Sequence, residues 1–99
     1  MAVKILIKRK FKNGNMQAAS RFVINNRNGA MQQPGYISSE TLRCIDDKDK
    51  ILVVSMWETI EAWETWKNSE ERKAYEAEIK DYYIGEAQYE HYSLGLQLD

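Results

Sequence analysis

The sequence predicts an α+β fold of the ferredoxin-like type, with a four-stranded antiparallel sheet and helices on one of its faces. Stretches of alternating residues lie near both ends of the chain and once in its middle, where a short apolar run follows. Stretches with apolar residues at helical spacing separate them, which gives the order strand, helix, strand, strand, helix pair, strand. This is the βαββαβ arrangement, and 99 residues suffice for a single domain, residues 1–99.

The first strand is predicted over residues 2–11, where side chains alternate between two faces. One face is apolar apart from a single arginine, and it consists of Val3, Ile5, Ile7, Arg9 and Phe11. Such alternation is typical of a strand with one buried side. Residues 13–15 have the composition of a turn, and Asn15 is a candidate N-cap for the following helix.

The first helix is predicted from Met16, because apolar residues recur at helical spacing as far as Ala30. Gly29 lies inside this pattern, and we expect it to loosen the last turn. The Pro-Gly pair at 34–35 then ends the helix.

Two adjacent strands are predicted over residues 36–45 and 51–57. The second is a short apolar run rich in β-branched residues, which favours a largely buried strand. The charged segment 46–49 joins them closely enough to predict an antiparallel hairpin.

Two short helices are predicted within residues 59–80, with Thr59 and Ser69 as their N-caps. Ile60, Trp63 and Trp66 recur at spacing three and therefore share one helix face. Alternation resumes from Gly85 and predicts the last strand, whose two faces are Ala87, Tyr89 and His91 on one side and Gln88, Glu90 and Tyr92 on the other.

Composition narrows the classes of function. One cysteine and one histidine leave no basis for an internal disulfide, and we expect no metal site. The apolar stretches are too short for a signal peptide or a membrane span, so we expect a cytoplasmic protein without a membrane partner. The basic residues of 1–43 are not interleaved with aromatic residues on a common face, which argues against a nucleic-acid partner. A small chain with one uncovered sheet face is expected to form a homodimer through that face.

Two segments resemble the antibiotic-biosynthesis monooxygenase domain family. Residues 33–38, Gln-Pro-Gly-Tyr-Ile-Ser, together with Glu-Thr-Leu at 40–42, resemble its second strand. A spaced set of residues further along the chain resembles the third strand and second helix of the family. These residues are Trp57, Glu58, Ala62, Trp63, Trp66, Ser69 and Arg72. The resemblance spans nearly the whole chain in the right order. It implies a dimeric α+β barrel of two sheets packed face to face, with a pocket between helices and sheet in each protomer.

The resemblance also implies a function. Known members oxidise phenols or quinols with molecular oxygen and no cofactor, or bind and degrade haem. Our leading interpretation is a cofactor-independent monooxygenase that acts on an aromatic, phenolic or quinol small molecule, with no metal and no flavin. The alternative is a non-catalytic ligand-binding or sensory dimer of the same fold.

Candidate site residues follow from this chemistry, because a base must form a phenolate and an aromatic wall must hold the ring. The available bases are Glu76 and His91, which are our catalytic candidates. By resemblance Trp66 lines the pocket, and the candidates for substrate binding are Trp66, Trp63, Arg72 and Ile7. Structural interpretations remain open beside these: Trp66 as core, Glu76 as a solvated partner of Lys80 at i+4, and His91 as an exposed strand residue.

Haem degradation is the less favoured activity. Haem-degrading relatives place an axial histidine ten residues after the pocket tryptophan, where this chain has Glu76, and an asparagine where it has Ile7. A carboxylate is not a usual axial ligand of haem iron. Cofactor-free relatives place an asparagine one turn before that tryptophan, where this chain has Ala62.

Overall fold

The computed structural model describes residues 1–12 and 14–96. Its elements, in chain order, are β1 (Val3–Lys10), α1 (Met16–Met31), β2 (Tyr36–Arg43), β3 (Lys50–Trp57), α2 (Ile60–Lys67), α3 (Glu70–Ile79), a 3-10 turn (Lys80–Tyr82) and β4 (Gln88–Ser93). The predicted βαββαβ order and α+β class are therefore confirmed.

The four strands form one antiparallel sheet in the order β2-β3-β1-β4. The central strand β1 pairs with two neighbours, so that Ile7 lies opposite Val53 of β3 and Tyr89 of β4. β2 and β3 form the predicted hairpin, with an irregular register between Tyr36 and Ser38. The first strand of the sequence thus becomes an inner strand of the sheet.

Alternation decides which face of the sheet the helices cover. On β1, Ile5, Ile7 and Arg9 are buried, whereas Leu6 and Lys8 between them are only half-buried. β3 behaves in the same way, and its buried side chains are Ile51, Ser55 and Trp57. Neighbouring side chains on a strand point to opposite faces, so the core lies on one side of the sheet only.

The core consists of two apolar clusters on that side. One is centred on the tryptophans and comprises Ile5, Ile7, Ala30, Trp57, Trp63 and Trp66. The other is further along the sheet and comprises Phe11, Ala19, Phe22, Ile51 and Ile79. Together they hold the helices α1, α2 and α3 against the sheet.

Side-chain caps start the two short helices as predicted. Thr59 Oγ1 accepts a hydrogen bond from the Ala62 amide at 3.1 Å, and Ser69 Oγ accepts one from the Arg72 amide at 3.2 Å. The prediction for Asn15 is wrong, because its side chain makes no capping bond and instead donates to the Lys12 carbonyl at 3.5 Å.

The expected loosening of α1 at Gly29 is also wrong. The helix continues to Met31, and Gly29 is buried within it. A Cβ atom at this position would lie 2.6 Å from Cη2 of Trp66 and 2.5 Å from Oε2 of Glu71. The glycine is explained by this close approach, which packs the Trp66 ring directly on the backbone of α1.

Within residues 1–12 and 14–96, no helix combines the length and the apolar character that crossing a lipid bilayer requires.

Candidate functional site

A cavity lies between the helices and the covered face of the sheet. Its walls come from α1, the strands β1, β2 and β3, and both short helices. The empty space enclosed by its walls, with the open mouth included, is about 590 Å³. The part of this space that the centre of a water molecule can occupy is about 60 Å³. One water needs roughly 10–15 Å³ on the second measure, so the cavity has room for several waters or a flat ring.

Aromatic side chains form one wall of the cavity. Trp57, Trp63 and Trp66 all line it, although each is no more than 2% exposed. The Trp57 and Trp63 ring centroids are 6.0 Å apart, and Tyr36 meets Trp57 edge to face at 5.5 Å. The ring planes of Trp57 and Trp63 are inclined by 58°, so the wall presents ring faces and ring edges that their mutual packing holds in place. Trp66 is therefore both a core residue and a cavity residue.

Arg9 reaches the cavity from β1 and is only 8% exposed. Its Nη1 and Nη2 donate to the two carboxylate oxygens of Glu76 at 3.1 and 2.8 Å, and Nη1 also donates to the Tyr83 hydroxyl. Its guanidinium carbon lies 4.8 Å from the Phe22 ring centroid and 4.9 Å from that of Tyr83. A charge this buried requires such pairing, and the contacts hold the guanidinium in one place.

Arg72 is the second buried guanidinium of the cavity lining, at 4% exposure. Its central carbon lies 5.3 Å from the Trp63 ring centroid, and Nη2 donates to the Tyr89 hydroxyl at 3.0 Å. The same nitrogen is 3.8 Å from Glu76 Oε2. One carboxylate is thus shared by two buried guanidinium groups, which leaves a positive charge in excess beside the cavity.

The other charged residue of the described lining is Arg27, which is exposed. Arginine is therefore the only charged type in the part of the wall that the structure describes. A cavity with apolar rings and cationic groups favours a flat ligand that carries negative charge.

The structure brings together most of the predicted site residues. The four substrate-binding candidates, Trp66, Trp63, Arg72 and Ile7, all line the cavity.

The two catalytic candidates lie elsewhere. Glu76 is not part of the described cavity lining but lies directly behind it. Its carboxylate is ion-paired with Arg9 and Arg72, and no ion pair with Lys80 is found among the described residues. His91 is exposed on β4, in register with Ile5. The catalytic roles of Glu76 and His91 stay predictions.

Sequence reasoning missed three residues that shape this site. Arg9 had a signal, because it is the one charged residue on the buried face of the first strand. Asn26 had a similar signal on the apolar face of the first helix. Tyr83 had none, since it meets Arg9 across 74 positions of sequence.

Two donors of the cavity wall have no hydrogen-bond partner within the described residues: Asn26 Nδ2 and Trp63 Nε1, both buried. By contrast, Trp57 Nε1 donates to Ser55 Oγ at 3.1 Å. Buried polar groups are nearly always hydrogen-bonded, so these two donors call for an acceptor that the described residues do not supply. Across residues 1–12 and 14–96, no three histidine, cysteine, aspartate or glutamate side chains are grouped as metal ligands.

Comparison with protein families finds that residues 2–78 match the model described as "Antibiotic biosynthesis monooxygenase". A search of curated proteins finds no sequence match.

Solved structures share the fold at low sequence identity. A candidate antibiotic biosynthesis monooxygenase from Nitrosomonas europaea is 13% identical, with a TM-score of 0.85 over 92% of this chain and 88% of that one. SnoaB, a cofactor-independent oxygenase from Streptomyces nogalater, is 11% identical, with a TM-score of 0.83 over 98% and 96% of the two chains. A conserved protein from Methanosarcina mazei is 12% identical, with a TM-score of 0.85 over 93% and 91%.

Proposed function

The chain belongs to the antibiotic biosynthesis monooxygenase family, and from this we propose that it is a cofactor-independent monooxygenase for an aromatic, phenolic or quinol small molecule. One observation carries the proposal: a wall of tryptophan rings and a pair of buried arginines face the same cavity. The rings offer a stacking surface for a flat substrate, and the arginines offer a positive field for a phenolate.

Oxygenation without a cofactor requires the substrate itself to reduce oxygen. The phenol first loses its proton, and the phenolate then transfers one electron to O₂, which gives a phenoxyl radical and superoxide. These two combine at a ring carbon as a peroxide anion, which takes up the proton that the phenol lost and becomes a hydroperoxide, and loss of water leaves a quinone. One phenol and one O₂ thus give one quinone and one water.

The protein's part in this sequence is positioning and electrostatic stabilisation. Trp63 and Trp66 hold the ring, Ile7 closes the cavity on the side of the sheet, and Arg72 stabilises the phenolate. Glu76 is proposed to act through Arg9, because both of its carboxylate oxygens accept hydrogen bonds from that guanidinium.

A specific observation favours the alternative function, a non-catalytic ligand-binding dimer. In the described lining the titratable side chains are arginines and Tyr36, so neither carboxylate nor imidazole faces the ligand. Such a cavity would bind an aromatic anion without removing a proton from it.

The deciding experiment measures oxygen uptake with simple hydroquinones and naphthols. We expect wild-type turnover, and we expect Trp66→Phe to lower kcat/KM by about tenfold through lost stacking area and a misplaced ring. Phe11→Leu is the matched control, since Phe11 is equally buried but lies in the second core cluster. Its activity should follow its melting temperature alone.

Variants of the predicted bases and a haem titration complete this experiment. Glu76→Gln should lower turnover through the displaced Arg9, and His91→Asn tests the exposed imidazole. Haem should bind weakly or not at all, since Glu76 stands where haem-degrading relatives have a histidine. If no hydroquinone or naphthol causes oxygen uptake, and Trp66→Phe changes stability alone, the non-catalytic alternative is correct.

We also propose that two copies associate through the sheet face away from the helices. That face carries a stripe of half-buried apolar side chains on the two inner strands, Leu6, Leu52, Val54 and Met56. A second copy would cover the stripe with an identical surface, as a two-fold interface requires.

A further inference from the structure

Trp63 combines full burial with an unused donor. Its ring is 1% exposed and is packed between Trp57 at 6.0 Å and Tyr89 at 5.9 Å, yet Nε1 has no hydrogen-bond partner in the described part of the chain. The indole N–H can only donate, so its partner must be an acceptor. The neighbouring Trp57, which lines the same cavity, has its N–H satisfied by Ser55, so the missing partner is particular to Trp63.

A second unused donor reaches the cavity from another element. Asn26 lies on α1 among the apolar residues that face the sheet, and its Nδ2 is buried without a partner among the described residues. An amide at such a position is costly unless it is hydrogen-bonded. Two residues of the cavity lining, on different helices, therefore each carry one unpaired donor.

The charges of the cavity add a third observation. Arg9 is occupied by Glu76 and Tyr83, whereas the described bond of Arg72 uses Nη2 alone. Arg72 also lies over the Trp63 ring, with its guanidinium carbon 5.3 Å from the centroid. The charge of Arg72 is thus held over the ring that carries the unpaired indole N–H.

We propose that the cavity binds its ligand as an oxyanion, with Trp63 Nε1 and Asn26 Nδ2 donating to the ligand oxygen and Arg72 supplying the positive charge. The ligand class is an aromatic phenolate, because its oxygen can accept from both donors and its charge complements that of Arg72. Hydrogen bonds to a charged acceptor are stronger than those to a neutral one, which adds to the preference. The inference rests on the proposed function for the aromatic ring, but it concerns binding and not turnover.

The test uses 4-nitrophenol, a single-ring probe whose phenolate is coloured and whose titration lies near neutral pH. Its methyl ether, 4-nitroanisole, has the same ring and cannot ionise. We expect the wild-type protein to bind the phenolate at least tenfold more tightly than the ether. Absorbance titration should show that the pKa of the bound probe is lower than that of the free probe.

Substitutions then assign the donors. Trp63→Phe and Asn26→Leu should each weaken phenolate binding about tenfold, the loss of one hydrogen bond to a charged group. Binding of 4-nitroanisole should change much less, so the ratio of the two affinities is the readout. Asn28→Leu is the matched control, because Asn28 is exposed on the same helix, and its ratio should equal that of wild type.

The wild-type measurement stands even if a variant fails to fold. Binding of the neutral phenol in preference to the phenolate, equal affinity for the ether, or no binding of the probe would overturn the proposal. An unchanged ratio in both folded variants would also overturn it. Phenolate preference without oxygen uptake would refute the oxygenase function alone, and oxygen uptake without phenolate preference would refute the oxyanion site alone.

Discussion

Gly29 stands at the closest contact between α1 and the tryptophan wall. Cη2 of Trp66 occupies the space in which a Cβ atom would lie, and the indole ring cannot turn aside as a flexible side chain can. A glycine inside a helix normally lowers stability, so its presence here is evidence for the packing that it permits.

This contact predicts the effect of Gly29→Ala. Alanine should add about 1 kcal/mol of helix propensity, but overpacking against Trp66 should cost about 1–3 kcal/mol. We expect a net fall in the free energy of unfolding of up to about 2 kcal/mol, measured by urea denaturation. Asn28→Ala, at an exposed position of the same helix, should instead be neutral or stabilising. A Gly29→Ala variant more stable than wild type would contradict the contact.

At the scale of the element, the turn between β2 and β3 is tied to the end of β1. Asp47 Oδ2 lies 3.0 Å from Lys10 Nζ, and Oδ1 accepts a hydrogen bond from the Asp49 amide at 3.2 Å. The hydrogen bond with Lys10 is the main reason that the pKa of Asp47 is held below its ordinary value of 3.8. Because the folded state favours the ionised carboxyl, Asp47 stabilises the fold above that ordinary value.

The pH dependence follows with a definite sign. The contribution of Asp47 should be present at neutral pH and should be lost as the pH falls through its lowered pKa. We expect Asp47→Asn to be less stable than wild type near neutral pH, and the difference in urea midpoint to close under acidic conditions. A constant difference for Asp47→Asn would exclude the interaction.

Elements were predictable from the sequence wherever one local pattern decided them. Period two located three of the strands and a short apolar run located β3, while period 3.6 located the helices. Thr59 and Ser69 marked two helix starts correctly. Asn15 failed because its side chain had a competing acceptor one turn back, the carbonyl of Lys12. The prediction that α1 loosens at Gly29 was wrong because helix propensity takes no account of the Trp66 ring that packs on this glycine.

The site was predictable only in part, for a related reason. Trp63 and Trp66 share a helix face with Ile60, so their presence at the sheet followed from spacing. The cluster of Arg9, Glu76 and Tyr83 joins residues 67 and 74 positions apart, and such pairing leaves no local trace. Only the folded sheet and helix bring these groups together.

At the scale of the whole molecule, the uncovered sheet face predicts the state of association. Sedimentation at micromolar concentration should give twice the chain mass of 11.6 kDa. Val54→Lys should give the monomer, because Val54 lies in the centre of the apolar stripe on β3 and a lysine there would be buried unpaired. Asn28→Lys adds the same charge on α1 and should leave the dimer intact. A wild-type monomer would refute the proposed interface.

The alternation of β1 and β3 has a consequence for how such a chain can evolve. Ile7 and Val53 line the cavity, while Leu6 and Val54 beside them belong to the opposite face. A one-residue insertion or deletion within either strand would exchange the two sets of side chains at once, and both surfaces would be lost together. Substitutions carry no such penalty, since each changes one surface and spares the other. Ligand preference and association can therefore diverge independently by substitution, whereas changes of length are restricted to the turns between the strands.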